Sequence, residues 1–170
     1  MNRGIFGLVL LALTVSATAR GVRAEGPAVP AFDEKAAFER LKSLGEWRGY
    51  ATGDAAVRYR VIGAGNEVLE TQLPGSDHEM LSVFYLDRGH LVVTHYCALG
   101  NQPHLRLDTA ASSPDRLVFA LDGGSNLDAA KDAHLDSGTI TFKPDRVESR
   151  WLVVKGGKVV LTDNFLLSPK

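Results

Sequence analysis

From Trp47 onward no helical period survives in this chain. Short runs of β-branched and aromatic residues recur instead, cut by turn residues about every eight to twelve positions. Such punctuation leaves room only for short, locally connected strands. They read as Glu46–Ala51, Ala56–Ile62, Glu67–Leu73, Met80–Leu86, Leu91–Ala98, His104–Asp108, Arg116–Leu121, Gly138–Lys143, Arg146–Val154 and Lys158–Leu166. Gly156-Gly157 between two lysines is a two-residue hairpin signal. Asp87-Arg88-Gly89 and Pro144-Asp145 have the composition of tight turns. Gly63-Ala64-Gly65-Asn66 starts like a dinucleotide fingerprint, but a third glycine is missing and no helix follows, so it reads as a hairpin turn. The one long connection spans Asp122 to Ala133, with room for a helical turn at Asp128–Asp132. The pattern predicts a mainly β fold: a single antiparallel β-barrel of about ten strands, since closure removes exposed strand edges. A β-sandwich is the competing arrangement. Barrels of this size can enclose a small ligand.

One helix precedes the strands. Asp33 is placed to cap Glu34–Leu44, with Phe38, Leu41 and Leu44 on one face, acids early and bases late, and Gly45 as the stop. Further upstream, Met1-Asn2-Arg3 is a short positive segment and Gly4 to Val15 an almost unbroken apolar one, followed by small residues. That layout predicts a secretory signal peptide cut after Ala19 or Ala24, with Ala24 favoured. The apolar run is well short of the ~20 residues a spanning helix needs. The expected organisation is therefore a signal peptide over residues 1–24, an extended lead over 25–32 and the barrel domain over 33–170. The product is exported, to the periplasm or beyond, and keeps no integral membrane segment.

Composition narrows the function classes. With 19 basic and 20 acidic residues the net charge is −1, and removing residues 1–24 takes away three arginines and no acid. No basic excess is left to drive nucleic-acid binding. A single cysteine excludes an internal disulfide framework and any CxxC motif. No Gly-x-Ser-x-Gly elbow, phosphate loop, His-Glu-x-x-His or EF-hand loop is present.

The run Gly45-x-Trp47-x-Gly49 after a helical turn resembles the opening of the calycins (lipocalins and fatty-acid-binding proteins), and its extended form is closer to the nitrobindin-like barrels. More specific are Thr94-His95-Tyr96-Cys97-Ala98-Leu99-Gly100-Asn101-Gln102-Pro103, Glu70-Thr71, Pro74-Gly75, His78-Glu79-Met80 and the Asp122–Asp128 loop. Together they resemble exported bacterial proteins of unknown function described as lipocalin-like or DUF1579-like, over essentially the whole chain after the leader. The resemblance implies a calycin-type barrel and assigns no reaction. Those sequences tend to read His-x-His-Ser where this chain has His134-Leu135-Asp136-Ser137, which weakens a metal site there. Nitrobindin-like barrels hold haem through a late histidine, and here no histidine follows His134. No cofactor is expected.

The candidate site residues are Glu70, His95, Cys97, Gln102 and Trp47. His95 and Cys97 share a strand face with Leu91 and Val93, the more apolar of the two, which points them inward. Residues two apart on a strand lie ~6–7 Å apart, too far for His95 to act as base to a Cys97 nucleophile. Glu70 shares a face with Val68 and is either a buried carboxylate that needs a partner or a solvent-facing one. Paired indoors, Glu70 and His95 are expected to shift each other's pKa, the acid down and the imidazole up. Gln102 is expected at the pocket rim and Asn101 in a turn. His95–Cys97–His104 and His95–His134–Asp136 contain proper metal ligands, but no spacing demands a metal, and none is assigned. Two function classes remain: a barrel that binds a small, partly apolar ligand, which is favoured, and an enzyme or metal-assisted hydrolase-like protein built on Glu70 and His95. No catalytic residue is assigned, and oligomeric state is not legible.

Overall fold

The computed structural model describes residues 32–44, 47–51 and 56–169. The expected leader and lead, and the helix stop at Gly45, lie outside the described residues. A helix, α1 (Glu34–Ser43), comes first. Ten strands follow: β1 (Trp47–Ala51), β2 (Ala56–Ile62), β3 (Glu67–Gln72), β4 (Met80–Asp87), β5 (His90–Tyr96), β6 (Gln102–Leu107), β7 (Arg116–Ser125), β8 (His134–Phe142), β9 (Val147–Lys155) and β10 (Lys158–Pro169). Every strand pairs antiparallel with its sequence neighbour, and β1 pairs with β10, which closes the barrel. The sandwich alternative is thereby excluded. Among the described residues no helix is long and apolar enough to cross a membrane.

Local chemistry accounts for the elements. The Asp33 carboxylate accepts the Ala36 N–H at 2.9 Å and caps α1. Ala37, Phe38, Leu41 and Leu44 are buried. Gly156 and Gly157, at φ +56° and +74°, make the β9–β10 hairpin with a turn whose twist matches that of its strands. Gly63–Gly65 is a short 3₁₀ turn between β2 and β3, so the glycine cluster is a hairpin connection.

Two boundaries differ most from expectation. β7 continues through Asp122–Ser125, which pairs with β6, and β8 begins already at His134. In both places cross-strand pairing overrides the weak strand propensity of Gly and Asp, and a bulge accommodates the extension. Asp122 is the extra residue in β7 and Asp136 in β8, while Val160 is extra in β10. The Asp128–Asp132 turn is present as a single loop: the Lys131 and Asp132 N–H groups both donate to the Asp128 carbonyl.

Helix α1 plugs one end of the barrel. Glu34 accepts the Leu91 N–H at 2.7 Å and meets His90 Nδ1 at 3.0 Å, which fixes the helix to the start of β5. Arg40 donates to the Pro114 carbonyl, pairs with Asp115 at 2.9 Å and lies 4.4 Å over the Phe142 ring. Above the helix the barrel centre is filled by an aromatic layer. Phe84 sits edge-on to Phe119 at 5.7 Å, and Tyr59 and Trp151 lie 6.3 and 6.2 Å from it.

Trp151 needs a glycine opposite. Gly138 is its β8 partner, and a Cβ there would come within 2.0 Å of the indole ring. Gly138→Ala should therefore displace Trp151 and destabilise the fold by about 1–3 kcal/mol. An unchanged urea-unfolding midpoint in that variant would show that the indole is not held against β8.

Candidate functional site

Side-chain alternation puts a row of polar residues between the aromatic layer and the open end of the barrel. Tyr59, Glu70, Ser82 and His95 are direct cross-strand partners on β2, β3, β4 and β5. All four face inward and are buried. Glu70 accepts from the Tyr59 hydroxyl and from the Gln72 amide, and Ser82 Oγ lies 3.5 Å from its Oε1. Ser82 Oγ in turn lies 3.0 Å from His95 Nδ1. Glu70 and His95 are thus both indoors, joined through Ser82 rather than paired directly.

This arrangement reverses the expected pKa shifts. Burial raises Glu70 from 4.5 to about 7, against the downward pull of hydrogen bonds from Tyr59, Gln72 and Ser82. Burial likewise lowers His95 from 6.5 to about 4. Without direct ion pairing, loss of water decides both values. Tyr59 is pushed well above its ordinary value, by burial first and by the Glu70 charge second. His95 is therefore a neutral imidazole at physiological pH.

Beyond the polar row lies a pocket of about 320 Å³ at the end opposite α1. Its walls are mostly apolar, with Met80, Leu135, Val153 and Leu161 among them. Gln72, His95, Cys97 and Asp163 supply the polar surface, with His78 in the loop that follows β3. Leu99, Val160 and Leu161 leave an apolar rim, and the last two are 57% and 52% exposed. Asp163 is half-buried, and its carboxyl is pushed up by burial alone.

The candidates divide as follows. Glu70 lies in the polar row, and His95 and Cys97 reach the pocket. Cys97 is half-buried, and burial raises its thiol above the ordinary value, which does not favour a thiolate. Gln102 does not line the pocket. Its amide donates to the Gly100 carbonyl and accepts from Asn126, tying two loops together. Asn101 is buried and bonds across to the Ala133 carbonyl, which pins the same end. Trp47 pairs through its backbone with Tyr59 and Pro169, and its side chain lies outside the described residues. His104 is exposed on the outer face. His134 is buried against the Asp132 carbonyl, 3.9 Å from Asp136. Among the described residues no three His, Cys, Asp or Glu side chains converge as metal ligands.

Tyr59, Gln72, Ser82 and Asp163 were missed, and each was available by counting twos. Gln72 follows Glu70 on the same face, Ser82 precedes Phe84, and Asp163 precedes Phe165 and Leu167. Tyr59 stands between two arginines that must face water.

Two consequences can be measured. The folded state keeps a proton on Glu70 that the unfolded chain has released, so Glu70 makes stability fall as pH rises from about 4.5 to about 7. His95 resists a proton that the unfolded chain accepts, so it makes stability fall as pH drops from about 6.5 to about 4. The slopes oppose each other in the intact chain. Relative to it, Glu70→Gln should gain stability with rising pH across the shared window, and His95→Gln should lose it, by up to about 3 kcal/mol each. Urea unfolding at several pH values reads both, and slope changes of the same sign would refute the assignment. Ser82→Ala should cost about 1–3 kcal/mol by stranding its partners. It should also abolish the coupling between Glu70→Gln and His95→Ala in a double-mutant cycle. Coupling that survives without Ser82 would mean that the two residues interact by another route.

No protein-family model matches the sequence, and neither does any curated protein, so the reading of this pocket rests on its own residues.

Proposed function

We propose that the protein is an exported barrel that binds a small, partly apolar ligand in the pocket at the end opposite α1. The observation that carries this reading is the pocket itself: a mostly apolar chamber of about 320 Å³ with a few polar side chains in its lining. Its volume is at the small end of the range for ligand sites, and its lining has their usual composition. The expected leader is what supports export, and the resemblance to lipocalin-like barrels points to the same class of function.

A catalytic reading of Glu70 and His95 has less support. A nucleophile–base–acid array places the histidine between the nucleophile and the acid. Here Ser82 stands in the middle and is buried, so its hydroxyl is spent on holding the row together.

The test is a titration with 1-octanol, followed through the methyl NMR signals of Leu135 and Val153. Both should shift in a saturable way, and Leu135→Trp, which fills the chamber, should remove the response at Val153. Equal binding by Leu135→Trp, or shifts confined to residues away from the pocket, would overturn the proposal.

A further inference from the structure

We propose that the pocket selects a ligand whose head group is a primary ammonium on an apolar body, held by acceptors from Gln72, His95 and Asp163. This rests on the pocket being the ligand site and goes on to name the chemistry of its occupant.

Three observations point the same way. First, the polar groups on the wall include a carboxylate, Asp163, while among the described residues no lysine or arginine lines the pocket. A carboxylate or phosphate head would meet no permanent counter-charge and one like charge. Second, the Gln72 amide nitrogen donates to Glu70. That leaves Gln72 Oε1, an acceptor, for the pocket. Third, the row behind the wall orients His95. The Ser82 hydroxyl donates to Glu70 Oε1. Ser82 Oγ must then accept from His95 Nδ1–H. In that tautomer Nε2 carries no proton and is a third acceptor.

An ammonium group carries three donors and one positive charge, which suits three acceptors of which one is a carboxylate. The cation is desolvated only in part, since Asp163 is half-buried near the mouth. Charge-assisted bonds to it are the stronger kind. The tail would lie against Met80, Leu135 and Val153. Glu70 and Ser82 are positioning residues in this scheme: they touch no ligand and set which nitrogen of His95 is bare.

The experiment compares n-octylammonium, 1-octanol and octanoate, three probes with one tail and different heads, at about pH 8.5, where Glu70 is largely deprotonated. Calorimetry should rank octylammonium first, roughly tenfold or more tighter than octanoate. Asp163→Asn should erase most of that advantage and weaken 1-octanol far less than octylammonium. Nitrogen-15 NMR of the free protein should show His95 protonated at Nδ1 and bare at Nε2, and Ser82→Ala should mix the tautomers. Octanoate binding as tightly as octylammonium would overturn the head-group assignment, as would an unaltered preference in Asp163→Asn or a proton on Nε2. In those cases Leu135 and Val153 would still respond to 1-octanol, and the pocket would stand. If none of the three probes shifts those methyls, the ligand site itself is wrong.

Discussion

A closed ten-strand barrel has an interior that must be filled, and how this one is filled governs everything else about it. Closure satisfies the strand edges, but it also commits every second side chain to a shared inner space. At one end α1 is driven in like a stopper, held by Glu34 at β5 and by Arg40 against Phe142 and Asp115. In the middle four aromatic rings pack on one another, and they fit because β8 offers Gly138 where Trp151 needs room. The far end holds the pocket. The position of the pocket follows from where packing material runs out.

The polar row marks the boundary between these regimes. Burying a carboxyl and an imidazole is costly, and the energies involved show why neither stands alone. Tyr59, Gln72 and Ser82 all attend Glu70, yet its carboxyl still sits near pH 7, so desolvation outweighs three hydrogen bonds. An apolar row would pack there at lower cost. The polar one has a directional consequence instead, since each donor determines the next acceptor along the chain, and the chain ends on a pocket-facing nitrogen.

The architecture was legible from the alternation of residues and the turn chemistry alone, because both are local. The helix cap at Asp33, the Gly156-Gly157 hairpin and the run of strands needed no knowledge of distant contacts. The inward facing of His95 could be read for the same reason: Leu91 and Val93 share its side. The ambiguity at Glu70 arose because Leu69, on the opposite face, is also buried, so polarity did not separate the two faces of β3. Its relation to His95 was misjudged on a different ground. A direct pair would have shifted both pKa values toward charge, but the intervening strand carries Ser82, and which residue stands between two others across a sheet depends on register. Gln102 stays out of the pocket because it shares the outer face of β6 with His104 and Arg106, where it bonds to Gly100 in its own turn and to Asn126 beyond β7.

Among the described residues three bulges occur, at Asp122, Asp136 and Val160, and all fall toward the open end of their strands. A bulge interrupts the ladder and weakens the mechanical continuity of a sheet where it sits. The interruptions of the ladder therefore sit at the lip. Local opening is cheapest where few buried contacts and interrupted hydrogen bonds coincide. Opening confined to the lip would leave the aromatic layer shut, so that end can part and reclose without the fold as a whole coming apart.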